Sequence, residues 1–413
     1  MTNLGRPIVA VLPATACLVV IASAYASPDV AYAERKIARF EVRETAGVRR
    51  RNDVVSATFV PAAPMSAATS FRLLDGGKPL GGQIRTLQDT AGNIKAVKID
   101  FIGHFAPLES RGYELEYGEG IKAIAEPNTG FDLKETDDAF HVSNGGRIEW
   151  TVRKDLRGLY RFRHNPNVEF VREKSAGLLF RTRDGKSHHL AEQAPSAVRV
   201  ARKGPISCAL EFEFSDWPKG TTSRVELEFV RTKSWVRTSW TMAGSSEGNI
   251  VASLGAGLHL DLEGKEKLID FGADDFVYTT VRDGELAVLD AGPVGSNERR
   301  PPWAVLRGKP DALQPQVVAP PGKAPSQVGG WAHVLDSTRC TAIAVDHFAG
   351  LTRDRIEVDG AGRLSIHRDF SNAATTKDKN LTFWVHFVGV PVHVGARTSP
   401  QAMRSPLQVR WSP

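Results

Sequence analysis

Cysteine is nearly absent, with three in 413 residues. Cys17 falls in the leader, so Cys208 and Cys340 are left. Two thiols can form one bond in an oxidising compartment but make no disulfide framework. Cys208 lies in the apolar run 206–212, where a buried free thiol is ordinary. Helical periodicity is missing as well. No window of about twelve residues places apolar side chains at helical spacing, which argues against bundles and α/β folds. The chain has no Gly-Xaa-Ser-Xaa-Gly elbow, phosphate loop or dinucleotide fingerprint to suggest a hydrolase triad or nucleotide chemistry. Its basic clusters, Arg49-Arg50-Arg51 and Arg299-Arg300, are short and lack zinc-ligand spacing, so nucleic acid is not an expected partner.

Long hydrophobic runs are also scarce, and the only one is at the start. Residues 1–6 end in Arg6, residues 7–26 are small and apolar, and Ala24-Tyr25-Ala26 and Ala31-Tyr32-Ala33 offer cleavage sites. That order reads as a secretory signal over residues 1–33, with Pro13 interrupting the run and opposing a retained anchor. The expected location is the periplasm or the exterior, with no membrane span after cleavage. The net charge of +6 suits an acidic glycan or an anionic surface, or simple solubility.

What the chain does contain is alternation. In the stretch 224–242, Val225, Leu227 and Phe229 point one way. After a polar break, Val236, Trp240 and Met242 take up the apolar parity, which predicts two half-buried strands joined by a tight turn. Similar runs recur from residue 37 to residue 390. The fold class is therefore all-β: a small barrel over 34–122, then a large antiparallel sandwich over 131–400, with a tail over 401–413. Residues 123–130 read as a linker. The proline-studded segment 310–330 reads as a long surface loop or linker, and no terminal helix is expected. The run 381–390 is apolar on both faces and predicts a central strand.

These phrases are similar to the front part of the exo-acting rhamnogalacturonan lyase family. In the barrel the likeness is carried by Arg51-Asn52-Asp53-Val54-Val55, by the run 71–80 (FRLLDGGKPL), by Gln83-Ile84 and by the run 112–118 (GYELEYG). In the sandwich it is carried by Gly204-Pro205, Trp235-Val236-Arg237, Gly330-Trp331 and Ser405-Pro406-Leu407. The resemblance implies a RIFT-type barrel followed by a central sandwich. The family's catalytic helical toroid would begin where this chain stops, which leaves a binding module or one half of a split enzyme whose toroid lies on a separate partner chain as the expectations. The chain also departs from the family at Lys95-Ala96-Val97-Lys98, where an aromatic residue is usual.

A uronate lyase needs a base beside the acidic carbon and a cation for the developing enolate. Tyr160, Arg161, Arg163 and His164 supply those residue types, but alternation puts Tyr160 and His164 on one face and the arginines on the other. An edge strand with a basic face and an ordinary aromatic core contact is the reading the spacing favours. Trp384 and His386 share a face, as a sugar-stacking ring and a hydroxyl partner would, or as a satisfied core pair. The candidate sugar-binding residues are thus Tyr160, Arg163, His164, Trp384 and His386. His188-His189, Asp274-Asp275 and Asp346-His347 are adjacent pairs that splay to opposite faces, so no metal site and no cofactor is expected. The leading expectation is an exported protein that binds or helps process an acidic, pectin-like polysaccharide. A complete lyase or hydrolase with its site in the sandwich cleft, and a non-catalytic scaffold, are the alternatives.

Overall fold

A computed structural model describes residues 35–165, 167–244, 250–273, 276–292, 302–319, 328–350, 352–370, 378–388 and 398–412. Their regular secondary structure is almost entirely strand, in five antiparallel sheets. The hairpin Thr221–Val230 with Trp235–Gly244 shows why. Val225, Leu227, Phe229, Val236 and Trp240 are fully buried on one face, and the register pairs Phe229 with Val236. Arg224, Glu226, Glu228, Trp235 and Arg237 alternate with them onto the other face.

This hairpin belongs to a nine-stranded sheet that packs on an eight-stranded one over a single continuous apolar core. The strand Asp378–Val388 lies between Trp235–Gly244 and Cys340–Val345, in the interior position its two-sided apolarity predicts. A four-stranded sheet from Phe131–Glu135 to Arg161–His164 adds Trp150 and Phe162 to the same core. Five- and three-stranded sheets, built mainly from the first 85 described residues, enclose a second core around Phe40, Phe101 and Tyr113. We refer to this unit as the barrel. Its five-stranded sheet is completed by Gln408–Trp411, which pairs with Lys36–Arg43 and packs Trp411 on Phe40.

The structure corrects two expectations. Part of 310–330 is a strand, Ala312–Val318, paired with Trp303–Lys309. It is the last strand of its sheet, so Pro315 breaks no ladder hydrogen bond on the open side, and the register slips between Val305 and Leu306 beside it. Residues 320–327 lie outside the described residues. Before the last strand there is also a short helix, Thr398–Arg404, which rests on Cys340–Val345. At seven residues it is too short to leave a periodic signature.

Cys208 and Cys340 are both buried and do not bond to each other. Three strands separate theirs in the nine-stranded sheet, about 19 Å at ordinary strand spacing, well beyond disulfide reach. Burial pushes the Cys208 thiol far above its usual range, so it is not a ready nucleophile.

Candidate functional site

The outer face of the nine-stranded sheet and the barrel enclose a cleft of about 760 Å³. Hydrogen bonds hold the two walls together. The Gln83 carboxamide oxygen accepts from the backbone N–H groups of Ile206 and Ser207, both at 3.1 Å, and its nitrogen donates to the Ser207 carbonyl at 3.2 Å. A side chain at Gly204 would occupy the space the carboxamide needs, which explains a glycine there. Ser207 Oγ donates to Asp100 at 2.7 Å, and Arg85 donates to the Ala201 carbonyl at 2.7 Å. Residues 123–130 are fastened too, since Arg231 donates to Glu126 at 2.6 Å and to the Pro127 carbonyl at 2.9 Å.

Strand register orders the floor of the cleft into rows. One row runs Glu228, Arg237, Trp384 and Ala344 across neighbouring strands. Arg237 lies 5.8 Å from the Trp384 ring centroid and 3.3 Å from Glu228. Glu228 also holds Arg202 at 2.6 Å, and Arg202 reaches Asp100 of the barrel at 3.3 Å. Burial raises the Glu228 carboxyl, but Arg202 and Arg237 outweigh it and hold the group below its ordinary range. A neighbouring row pairs Glu211 with Glu226, and the guanidiniums of Arg199 and Arg224 both close on buried Glu211. Trp331, Met403 and Trp384 form a small apolar cluster at the helix end of the cleft. The cleft thus offers aromatic surface beside fixed guanidiniums and carboxylates, a surface suited to rings that carry hydroxyl and acid groups.

The sequence candidates are divided by the fold. Trp384 lines the cleft. His386 shares its face and meets Trp235 edge-on with ring centroids 5.8 Å apart. Burial first, then Lys233 and His333, push the His386 imidazole down to about 4, so it is neutral at pH 7. Tyr160 lies on the other side of the same sheet, buried in the sandwich core against Phe387, where it has no path to an external sugar. Arg163 is exposed and half-buried His164 packs near Phe170; neither lines the cleft. The five residues therefore do not form one constellation.

His188 stacks on Phe180 and contacts Glu192, while His189 meets the Ala176 carbonyl. Asp274-Asp275 lie outside the described residues. Among the described residues no three His, Cys, Asp or Glu side chains converge as metal ligands would. Arg199, Arg202, Glu211, Glu226 and Glu228 escaped sequence reading because each is an ordinary polar position on an alternating strand.

No protein-family model and no curated protein sequence matches the chain. Among solved structures it is similar to a glycosyl hydrolase family 38 protein from Enterococcus faecalis, at TM-score 0.53 and 10% identity over 91% of this chain and 47% of that one. The chain therefore spans about half the length of that protein. It also matches a TPR-domain containing protein from Parabacteroides distasonis at TM-score 0.36 and 8% identity, over 84% and 57% of the two chains. A galactose mutarotase-like protein from Lactobacillus casei matches at TM-score 0.29 and 12% identity, over 63% and 100%. At such identities the likeness is one of fold, and the first match shows an all-β sandwich architecture also found within a glycosyl hydrolase family 38 protein.

Proposed function

We propose that this chain is a carbohydrate-associated protein that binds a sugar polymer in the cleft between barrel and sheet. The observation that carries the reading is the cleft itself, which Trp235 and Trp384 line and where Arg237 lies 5.8 Å from the Trp384 ring centroid. Stacking on an indole and charge-assisted hydrogen bonds are how proteins grip sugar rings and their acid groups. The fold likeness to a glycosyl hydrolase family 38 protein supports a carbohydrate role in general. The resemblance to the rhamnogalacturonan lyase family narrows the polymer to an acidic, pectin-like one. It also favours an exported chain.

Residues 34–413 should be retained by polygalacturonate or rhamnogalacturonan in affinity electrophoresis, without release of ultraviolet-absorbing unsaturated products. Trp235→Ala and Arg237→Ala should each weaken retention by about tenfold, the equivalent of roughly 1.4 kcal/mol, with thermal unfolding showing that the variants fold. Unsaturated products would instead identify a complete lyase. Retention by no polysaccharide would refute the carbohydrate reading.

A further inference from the structure

Most charges around the cleft cancel locally. Arg50 is buried between Glu44 at 3.1 Å and Asp53 at 3.3 Å. Arg199 and Arg224 are spent on Glu211, and Arg199 also reaches Glu213 at 3.1 Å. Arg202 and Arg237 are held by Glu228 and Asp100. Asp346, near the helix end, contacts His347 at 3.8 Å and acts on Arg404. Three charged lining residues make no ion pair among the described residues: Arg85, Lys98 and Glu226, the last acting on Arg202 only through space.

Arg85 and Lys98 are cross-strand partners on the barrel wall. Like charges directly opposite one another destabilise a sheet unless something relieves them. No carboxylate among the described residues pairs with either. The nearest on that wall, Asp100, is 4% exposed and already taken by Ser56, Ser207 and Arg202. Arg85 gives one N–H to the Ala201 carbonyl, while its Nε meets no acceptor. On the sheet floor, half-buried Glu226 makes no ion pair or hydrogen bond among the described residues, because its opposite number Glu211 has claimed both neighbouring arginines. The cleft therefore has one wall short of negative charge and a floor carboxylate short of donors.

We infer that the cleft sorts its ligand by charge, with Arg85 and Lys98 taking the carboxylate of an acidic sugar and Glu226 accepting a hydrogen bond from a sugar hydroxyl. This rests on the carbohydrate reading above. A carboxylate between the two cations relieves their repulsion. Glu226 and Trp384 are two strands and one two-residue step apart in the register. At ordinary strand dimensions that is about 12 Å, more than one pyranose ring, so the ligand is an oligomer.

Calorimetric titration of the exported chain, residues 34–413, with trigalacturonate and with its methyl ester tests this directly. The acid should bind at least tenfold more tightly than the ester, and the advantage should shrink as salt rises. Lys98→Ala, at an exposed position, and Arg85→Gln should each erase most of that preference. Glu226→Gln should weaken acid and ester alike by several fold. Equal binding of acid and ester, or a preference that survives in Lys98→Ala and Arg85→Gln, overturns the charge-sorting inference while leaving carbohydrate binding intact. Binding of neither, with no retention by any polysaccharide, overturns both.

Discussion

His386 shows how strongly the outer sheet face is shielded near the helix end of the cleft. Its imidazole titrates at about 4 in the folded chain, against about 6.5 when unfolded. Between those values the unfolded state binds the extra proton, so stability rises with pH across the window. It is complete above about pH 6.5, falls on acidification, and levels off below about pH 4. His259 and His367, also lowered chiefly by burial, act with the same sign. Urea midpoints measured from pH 7.5 to 4.5 should fall, and His386→Gln should flatten the slope. A slope that the substitution leaves unchanged would locate the proton uptake elsewhere. At this scale the shared face of Trp384 and His386 was legible, since a strand's period of two places residues two apart on one side. Tyr160 was legible as an aromatic core contact but not excluded as a sugar ligand, because alternation assigns residues to faces without saying which face is the core.

At the scale of elements, the sandwich is cross-braced by a buried charge. Arg368 replaces an apolar residue on the inward face of Arg363–Asp369, after Leu364 and Ile366. It donates to Asp354 at 2.8 Å and 3.0 Å, and across the sandwich to the carbonyls of Asp346 at 2.6 Å and Asn380 at 3.2 Å. Removing one partner strands the other without water, so Asp354→Ala should cost about 3–5 kcal/mol. Replacing both, as Asp354→Leu with Arg368→Met, should cost less than the single change. Chemical denaturation of the two variants distinguishes them, and a single variant as stable as the parent would count against the brace. Such inward charges also hide some strands from a reading by alternation. Lys267 and Asp270 in Glu266–Gly272, and Asp354 in Arg353–Asp359, put charge where an apolar residue signals a strand.

At the scale of the molecule, the contacts that join barrel and sandwich include the Gln83–Ser207 and Arg202–Asp100 pairs, the fastened segment 123–130, and the last strand. Gln408–Trp411 follows the whole sandwich yet completes the barrel's five-stranded sheet, with Trp411 centred 4.5 Å from Phe40 and 5.0 Å from Phe59. Trp411→Ala should therefore loosen the barrel first, by roughly 1–3 kcal/mol for a half-buried ring. Limited proteolysis should then cut within 36–118 while the sandwich stays intact, and ligand retention should drop because the cleft loses a wall. Cuts that fall first in the sandwich would contradict this order.

Local chemistry alone determined that the chain is all-β, that 221–244 folds as a hairpin with one apolar face, and that Trp384 and His386 point the same way. Each of these depends on side-chain spacing along a few residues, and a strand's period of two is written locally. Tertiary structure decided which polar faces meet. Lys98, Arg85, Glu226 and Arg237 come from two cores and many strands, and only the docking of the barrel brings them to one cleft. It also sent Tyr160 inward and kept Cys208 from Cys340. The order of strands in a sheet is set by packing across the whole fold, which no local pattern encodes.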